Sequence, residues 1–225
     1  MNTPGLELRQ VAIRLRGHPL VPPLDLHVPP GAIVTLMGES GVGKSSLLAF
    51  LCGTLPPGLE GAGEVRIAGE TVSALPPQHR RLGILFQEDL LFPHLSVGGN
   101  LAFALAERIR SRADRMARIR DALNEAGLAG FESRDPASLS GGQRARVAML
   151  RVLLSEPRAL LLDEPFSQLD AATRQRFREF VFGQVRRARL PALLVSHDAL
   201  DAAAAGGAVI QLAPPDPAVS PVPEG

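Results

Sequence analysis

The amino-acid sequence predicts an α/β protein in which helices cover a parallel β-sheet and a small antiparallel β subdomain lies beside it. Three observations support this class: short continuous apolar runs, apolar residues that alternate with polar ones near the N-terminus, and helical periodicities between the runs. Runs that are apolar on both faces are typical of parallel strands covered by helices. Alternation is typical of a strand that leaves one face in water, as antiparallel sheets often do.

The strand and helix signals follow one another along the chain. Alternating segments occupy 6–15, 24–28 and 64–70, and continuous apolar runs occupy 33–37, 82–86, 159–162, 192–195 and 208–212. Helical patterns occupy 45–52, 116–126, 141–155 and 177–185. Gly53 and Gly127 follow the first two helices and suit the left-handed position that commonly ends a helix. The third helix ends before Pro157, which cannot continue it.

One long region between two of the apolar runs differs from the rest of the chain. Residues 90–155 have an almost entirely helical pattern. We therefore expect an inserted α-helical subdomain over about 88–156, within a single domain that spans 1–213. Residues 214–225 contain five prolines, a composition that predicts a disordered tail.

Composition limits the classes of function. Among the 225 residues, 24 lysines and arginines balance 23 acidic residues, so no net charge attracts nucleic acid or an anionic membrane. The single cysteine, Cys52, excludes an internal disulfide. The N-terminus lacks a signal-peptide pattern, and the longest uncharged stretch, 90–106, is shorter than the roughly 20 apolar residues of a membrane-spanning helix. We therefore expect a cytoplasmic protein that reaches a membrane only through a partner.

A glycine-rich segment between an apolar run and a helix fits the phosphate-binding pattern G-x-x-x-x-G-K-[ST]. Its residues are Gly38, Glu39, Ser40, Gly41, Val42, Gly43, Lys44 and Ser45, and Ser46 follows in the first helical turn. The glycines let backbone N–H groups converge on phosphate oxygens at the positive end of the helix. We expect Lys44 to reach the β and γ phosphates of ATP and the Ser45 hydroxyl to bind Mg²⁺. The segment predicts a P-loop NTPase with a RecA-like core; the alternative is a glycine turn with an incidental lysine.

Two carboxylates close the apolar run at 159–162. Asp163 lies at the carboxyl end of a predicted parallel strand, where such sheets place their ligand sites, and we expect it to hold Mg²⁺ through water. Glu164 is next in the chain and is expected to polarise a water for in-line attack on the γ phosphate. The alternative is an acidic strand end that caps a helix.

A pentapeptide between these two motifs predicts a second anion site. It consists of Leu139, Ser140, Gly141, Gly142 and Gln143. Ser140 is placed to cap the next helix, and the two glycines leave backbone N–H groups uncovered at its start. Two half-sites in one chain indicate either one composite pocket or a pocket shared between two copies.

With this pentapeptide, the chain resembles the ATP-binding subunits of ABC transporters over residues 6–212. The resemblance identifies the pentapeptide with the signature motif of that family. It implies a head-to-tail dimer, in which ATP on the phosphate loop of one copy is covered by Ser140 and Gly142 of the other. Gly141 and Gln143 belong to the same nucleotide-contacting segment. Each dimer then holds two nucleotides at one interface.

Three further positions match the family residue by residue. Gln87 resembles the Q-loop glutamine, which touches Mg²⁺ and the attacking water and relays nucleotide status to the helical subdomain. Asp170, at the end of the segment 167–170, resembles the D-loop aspartate. His197 resembles the switch histidine that contacts the γ phosphate, although a lone histidine after a strand is more often structural.

The chain departs from the family pattern at two places. The family usually has an aromatic ring near residues 15–17 to stack on adenine, whereas this chain has Leu15, Arg16 and Gly17 and lacks Tyr and Trp. Arg16 could stack its guanidinium on the base, or Leu15 could offer apolar contact, and we expect weaker or less adenine-selective binding. The second departure is Gly99, where a glutamate would complete a capping box with Ser96, so we expect a looser helix start.

The segment 91–97 resembles that of bacterial importers of small solutes, which implies transmembrane permease subunits and a periplasmic or extracellular solute-binding protein as partners. The protein would then act at the inner face of the cell membrane. Within that group, the chain resembles the short ATPase subunits found near thiamine-type uptake systems. The alternatives are the ATPase of a lipid, lipoprotein or toxin exporter, and a soluble ABC ATPase that acts on nucleic acid or as a scaffold. The balanced charge argues against nucleic acid as a partner.

Overall fold

The computed structural model describes residues 4–105 and 109–213, so the predicted tail at 214–225 lies outside it. The first half of the chain contains β1 (Leu6–Leu15), β2 (His18–Val28), β3 (Ile33–Met37), α1 (Lys44–Cys52), β4 (Leu59–Ile67), β5 (Glu70–Thr71) and β6 (Leu82–Leu85). The second half contains α2 (Val97–Leu105), α3 (Arg112–Glu125), α4 (Gly141–Leu154), β7 (Ala159–Asp163), α5 (Ala171–Arg187), β8 (Ala192–Val195), α6 (Ala199–Ala205) and β9 (Val209–Gln211). Within the described ranges, no helix is long and apolar enough to cross a membrane.

A five-stranded sheet forms the centre of the fold. Its strand order is β6-β7-β8-β3-β9, and every described pair in it is parallel. The continuous apolar runs are buried on both faces, because α1 packs on one side and α4 and α5 pack on the other. The predicted α/β class with a covered parallel sheet is therefore confirmed. Since the strands are parallel, the residues that follow β3, β7 and β8 emerge at one edge of the sheet.

The predicted antiparallel subdomain is a four-stranded sheet with the order β2-β1-β4-β5. Two of its strands begin earlier than the sequence pattern indicated. β2 starts at His18, and its first part contains Pro22 and Pro23, which argue against a strand in the sequence. Both prolines are tolerated because β2 is an edge strand that pairs, among the described strands, with β1 alone. β4 starts at Leu59 and includes Gly63, whose φ of 99° lets the strand pass close to the backbone of Gln10. The prolines and Gly63 interrupt the alternation of apolar and polar residues, so the sequence pattern did not predict the first parts of these two strands. Pairing with β1 stabilises them.

Helices α2, α3 and α4 come between β6 and β7 in the order of the chain, and they share an apolar core of their own. Its fully buried members include Val97, Leu101, Ile119, Leu123 and Val147. The expectation of an almost entirely helical region is wrong in part, because 126–140 forms a connection with only one short 3₁₀ turn, at Pro136–Ser138. Gly127 and Gly130, both with positive φ, interrupt the helical pattern there. The separate core supports a helical subdomain over about 88–156, which stays a prediction.

The start of α2 has hydrogen bonds other than those of a capping box, and its expected looseness stays a prediction. Ser96 Oγ accepts a hydrogen bond from Gly99 N at 3.1 Å, and Gly98 N donates to the Glu132 carbonyl at 2.8 Å. A Cβ at position 98 would lie only 2.8 Å from that carbonyl oxygen, so the close approach requires glycine. The fully buried Asn100 accepts from Phe92 N at 2.8 Å and ties the preceding loop to the helix. Contacts from distant backbone thus replace the missing capping box.

Candidate functional site

The phosphate loop connects the end of β3 with the start of α1. Gly43 precedes the helix with a φ of 96°, and a Cβ there would lie 2.6 Å from Val21 Cγ2. Glycine at this position therefore serves both the left-handed turn and the close packing against β2. The side chain of Val42 packs into the apolar core beneath the loop, and Val42 does not line the cavity over the loop.

Lys44 lies inside the loop and its side chain is buried. Its Nζ donates hydrogen bonds to the carbonyls of Gly38 and Glu39, each at 2.7 Å. An ammonium group at the start of α1 adds to the positive end of the helix dipole. The loop therefore concentrates positive charge and backbone N–H groups, which is the chemistry that binds phosphate oxygens.

A cavity of about 490 Å³ lies over the loop and contains most of the predicted phosphate-binding residues. Its walls are Gly38, Glu39, Ser40, Gly41, Gly43, Lys44, Ser45, Ser46, Glu164 and His197. The fold thus brings the loop together with residues that follow β7 and β8. A cavity of several hundred cubic ångströms is large enough for a small-molecule ligand.

Glu164 and His197 form one wall of this cavity and contact each other. Glu164 Oε2 lies 3.1 Å from His197 Nδ1. Glu164 has a φ of 45°, a left-handed backbone conformation that is unfavourable for a glutamate, and its N–H donates to the Val195 carbonyl at 3.0 Å. Strained backbone at a ligand cavity is often kept for function. The geometry places a carboxylate and an imidazole where a reacting group above the loop could meet them.

Asp163 and Ser45 line a second cavity of about 350 Å³, which runs along α1 to Cys52 and is otherwise lined mostly by apolar residues. Burial raises the pKa of the Asp163 carboxyl, the neighbouring Glu164 raises it further, and the Lys44 ammonium lowers it. The carboxylates of Asp163 and Glu164 therefore line different cavities, and Ser45 lines both of them. A hydroxyl and a carboxylate beside a phosphate loop are the oxygen donors that a hard divalent cation prefers.

Gln87 follows β6 and lines a smaller polar cavity of about 180 Å³. Glu164 and His197 also line that cavity, so Gln87 adjoins the wall that they form. Ser167, in the segment 167–170 that resembles the D-loop, also lines it, and the other walls come from residues that the sequence did not single out: Arg174, Ser196, Asp198 and Asp201. Two of them had a weak signal, because Asp198 directly follows His197 and Arg174 lies one helical turn after Asp170.

The signature segment begins α4, as its sequence predicts. Ser140 Oγ accepts from Gln143 N at 3.3 Å, and Gln143 Oε1 accepts from Ser140 N at 3.0 Å, which completes a reciprocal capping box. Gly141 and Gly142 pack against the start of α5. A Cβ at position 142 would overlap the Thr173 side chain. The predicted N-cap role of Ser140 is confirmed. The capping box also engages the Gln143 side chain, whose Oε1 accepts from Ser140 N.

The signature segment and two other predicted ligands stand apart from the loop cavity. Within the described residues, the walls of that cavity include neither Ser140–Gln143 nor Asp170 nor Arg16. Asp170 caps α5 by accepting from Thr173 N at 3.0 Å. Hydrogen bonding with the Thr173 side chain, and secondly with its backbone, lowers the pKa of the exposed Asp170 carboxyl. Arg16 is exposed in the β1–β2 turn, where its N–H donates to the Gly58 carbonyl at 3.1 Å. Within the described chain, these residues therefore do not share a cavity with the phosphate loop.

The chain is similar to known proteins over most of its length. A family model described as "ABC transporter" matches residues 21–167. The chain is 47% identical over 194 residues to the uncharacterized ABC transporter ATP-binding protein YnjD of Escherichia coli K12, which covers 86% of this chain and 89% of that protein. It is 41% identical to the sulfate/thiosulfate import ATP-binding protein CysA of Mycobacterium tuberculosis H37Rv, over 80% of this chain and 50% of that protein.

A third relative is the Fe(3+) ions import ATP-binding protein FbpC of Agrobacterium fabrum, which is 40% identical over 84% of this chain and 53% of its own length. This chain thus spans about half the length of the two import proteins and most of YnjD. The phosphate loop, the paired carboxylates and the capped signature segment all lie within residues 21–167, which the family model matches. The chain belongs to the ABC transporter family, as one of its ATP-binding and ATP-hydrolysing domains.

Proposed function

We propose that this chain is the ATPase subunit of an importer of a small solute, and that two copies close head to tail around two ATP molecules to energise transport. The observation that carries the proposal is the separation of the half-sites. The phosphate loop, Glu164 and His197 share one cavity, whereas Ser140 and Gly142 do not line that cavity in the described chain, and Gly142 lies against Thr173 of α5. A second copy is the natural source of the missing wall.

In this proposal, Lys44 and the loop N–H groups bind the β and γ phosphates, and Glu39, Ser40 and Ser46 complete the cradle. The donors at Ser45 and Asp163 fit Mg²⁺, since that ion usually takes one or two protein oxygens with the rest from phosphate and water. Within the described residues, no cluster of three or more His, Cys, Asp or Glu side chains offers an all-protein metal cage. When bound, Mg²⁺ neutralises charge on the phosphates.

Hydrolysis itself is assigned to the wall formed after β7 and β8. Glu164 accepts a proton from the attacking water, and His197 orients the Glu164 carboxylate and contacts the γ phosphate. Gln87 adjoins this pair and is assigned to hold the water and sense the phosphate. Ser140, Gly141, Gly142 and Gln143 of the second copy, with its Asp170 nearby, cover the nucleotide from the other side. Electrostatic positioning supplies most of the rate enhancement in such a site.

Import is favoured because the two relatives with a stated cargo are both named as import proteins, for sulfate/thiosulfate and for Fe(3+). We extend only the class of small solute to this chain. The thiamine-type likeness stays a prediction, since the relatives described above do not name that cargo. Partners would be permease subunits and a solute-binding protein outside the membrane, and the chain would lie at the cytoplasmic face.

A groove beside the helical region supports docking to a permease. It has a volume of about 790 Å³ and is lined by Phe86, Leu90, Phe92 and Phe103, among others. Three of these side chains are unusually exposed for large apolar residues, Phe86 at 42%, Leu90 at 51% and Phe103 at 64%. Contiguous exposed apolar side chains commonly mark a protein interface. We assign the groove to a segment of the permease.

Mixed dimers test the shared site. One mixture pairs a copy carrying Lys44→Ala with a copy carrying Ser140→Arg, and the other pairs a copy carrying both changes with an unaltered copy. In a head-to-tail dimer, the first mixture keeps one site with two intact walls and the second keeps none. We expect ATP hydrolysis in heterodimers of the first mixture only. Hydrolysis in the second mixture alone would mean that each chain forms a complete site.

A further inference from the structure

Arg174, in the first turn of α5, joins two loops of the site. Its Nη1 donates to Asp198 Oδ2 at 3.2 Å. Its Nη2 donates to the Leu169 carbonyl at 3.1 Å and, at a longer 3.5 Å, to the Ser167 carbonyl. One guanidinium thus holds the residue after His197 and the segment that leads into α5. Arginine suits this role because its rigid fork of donors can bind several acceptors in fixed directions.

Asp198 fixes the loop that carries His197. Its Oδ1 caps α6 by accepting from Leu200 N at 2.8 Å, while its Oδ2 faces Arg174. Its own N–H donates to Ser196 Oγ at 3.1 Å, and that hydroxyl donates to Asp201 Oδ2 at 2.7 Å. The loop around His197 is therefore held on both sides by polar contacts.

A second route leads from Arg174 back to Glu164. Ser167 Oγ donates to the Glu164 carbonyl at 2.8 Å, and Glu164 Oε2 contacts His197 Nδ1. Together with Asp198, these residues form a closed ring of contacts around the small polar cavity. Arg174 does not contact the loop cavity, so it acts on the catalytic wall only through its neighbours.

Two neighbours of Arg174, Leu169 and Thr173, lie beside the signature segment. A Cβ at position 141 would lie 3.6 Å from Leu169 Cδ2, and one at position 142 would overlap Thr173, which precedes Arg174 in the chain. The carbonyl that Arg174 holds belongs to Leu169. Leu169, which lies beside the signature segment, is thus also held by the guanidinium that binds Asp198 of the His197 loop.

We propose that Arg174 and Asp198 form a positioning clasp that couples the catalytic pair of one copy, Glu164 and His197, to the signature segment with which the same copy covers its partner's nucleotide. The inference rests on the proposed dimer. Hydrolysis at one nucleotide then changes the position of the signature segment over the other, because both loops share one guanidinium. The two side chains are 30% and 23% exposed, so water screens the ion pair only in part.

Arg174→Gln tests the clasp. We expect kcat for ATP to fall about 10- to 100-fold, as for small displacements of catalytic groups, while KM stays within about twofold because the phosphate loop is untouched. The Hill coefficient for ATP should fall towards 1. The matched control is Arg187→Gln on the same helix, whose exposed pair with Glu125 at 2.9 Å lies far from the site; it should leave kcat and cooperativity unchanged.

Asp198→Asn gives an independent test, because asparagine can still cap α6 while the charge facing Arg174 is lost. The double variant should be no slower than the slower single variant, since both changes open one clasp. Lower thermal stability with unchanged kcat and Hill coefficient would reduce the pair to a structural role and overturn the inference. If the mixed dimers hydrolysed ATP as expected for a shared site but Arg174→Gln kept parental cooperativity, the clasp would fail while the proposed function stood.

Discussion

The carboxylate of Glu164 and the imidazole of His197 lie 3.1 Å apart, although they follow different strands of the sheet. The parallel pairing of β7 with β8 sets this contact, because Asp163 is in register with Val195. The residues just beyond each strand therefore meet at the same edge. A carboxylate held by a neighbouring ring is oriented before substrate binds, which favours its assignment as the general base.

Glu164→Gln should leave ATP binding intact and lower the hydrolysis rate by about 10²–10⁴-fold, the usual contribution of a general base. The glutamine keeps the shape of the side chain but cannot take a proton. Nucleotide affinity measured by fluorescence and steady-state phosphate release separate the two effects. Hydrolysis at the parental rate would remove Glu164 from its assigned role.

Arg16→Tyr should strengthen ATP binding and increase preference for ATP over GTP. Arg16 is exposed in the β1–β2 turn, where the family usually presents a ring. A base stacked on an aromatic ring gains about 1–3 kcal/mol, or roughly 5- to 150-fold in Kd. Arg14→Tyr, on the neighbouring strand, is the control and should change neither affinity. A strong ATP preference in the unaltered protein would show that the missing ring costs no selectivity.

Cys52 should react slowly with thiol reagents in the folded protein. Burial raises the pKa of its thiol to about 11 from an ordinary value of 9.0, with a smaller opposing effect from Arg80. At pH 8 the thiolate fraction is then about 100-fold smaller, and higher intrinsic nucleophilicity offsets only part of that loss. We expect alkylation at least about tenfold slower than in urea, with the folded rate still rising above pH 9. Equal rates in both conditions at pH 8 would contradict the partial burial of Cys52 at the end of α1.

Gly142→Ala should destabilise the protein although alanine favours helices. The added Cβ would overlap the Thr173 side chain, and overpacking of this kind costs about 1–3 kcal/mol. Thr173→Ser removes the methyl group nearest to position 142 and should restore most of the stability in the double variant. Thermal unfolding measures both. A double variant as unstable as Gly142→Ala alone would mean that the signature helix does not pack on α5 in this way.

Local motifs in the sequence predicted much of this molecule. The loop Gly38–Ser45 and the capping box of Ser140 with Gln143 depend on neighbours within a few residues, so their patterns are visible in the chain. The start of β2 was missed because its prolines are tolerated only at a sheet edge, which the sequence does not reveal. Arg174 and Asp198 were missed because the contact depends on how α5 lies against the residues after β8.

Cross-linking between copies tests the shared nucleotide site most directly. Two tagged Cys52→Ala, Glu164→Gln proteins would carry one cysteine each, Ser40→Cys in the phosphate loop or Ser140→Cys in the signature segment, and be mixed with ATP and a short thiol cross-linker. Ser111→Cys, at the exposed cap of α3, replaces Ser140→Cys in the control. We predict ATP-dependent dimers only from positions 40 and 140. Absence of such dimers would contradict the account, above all if a third protein that carries Ser40→Cys and Ser140→Cys in one chain cross-linked within that chain instead.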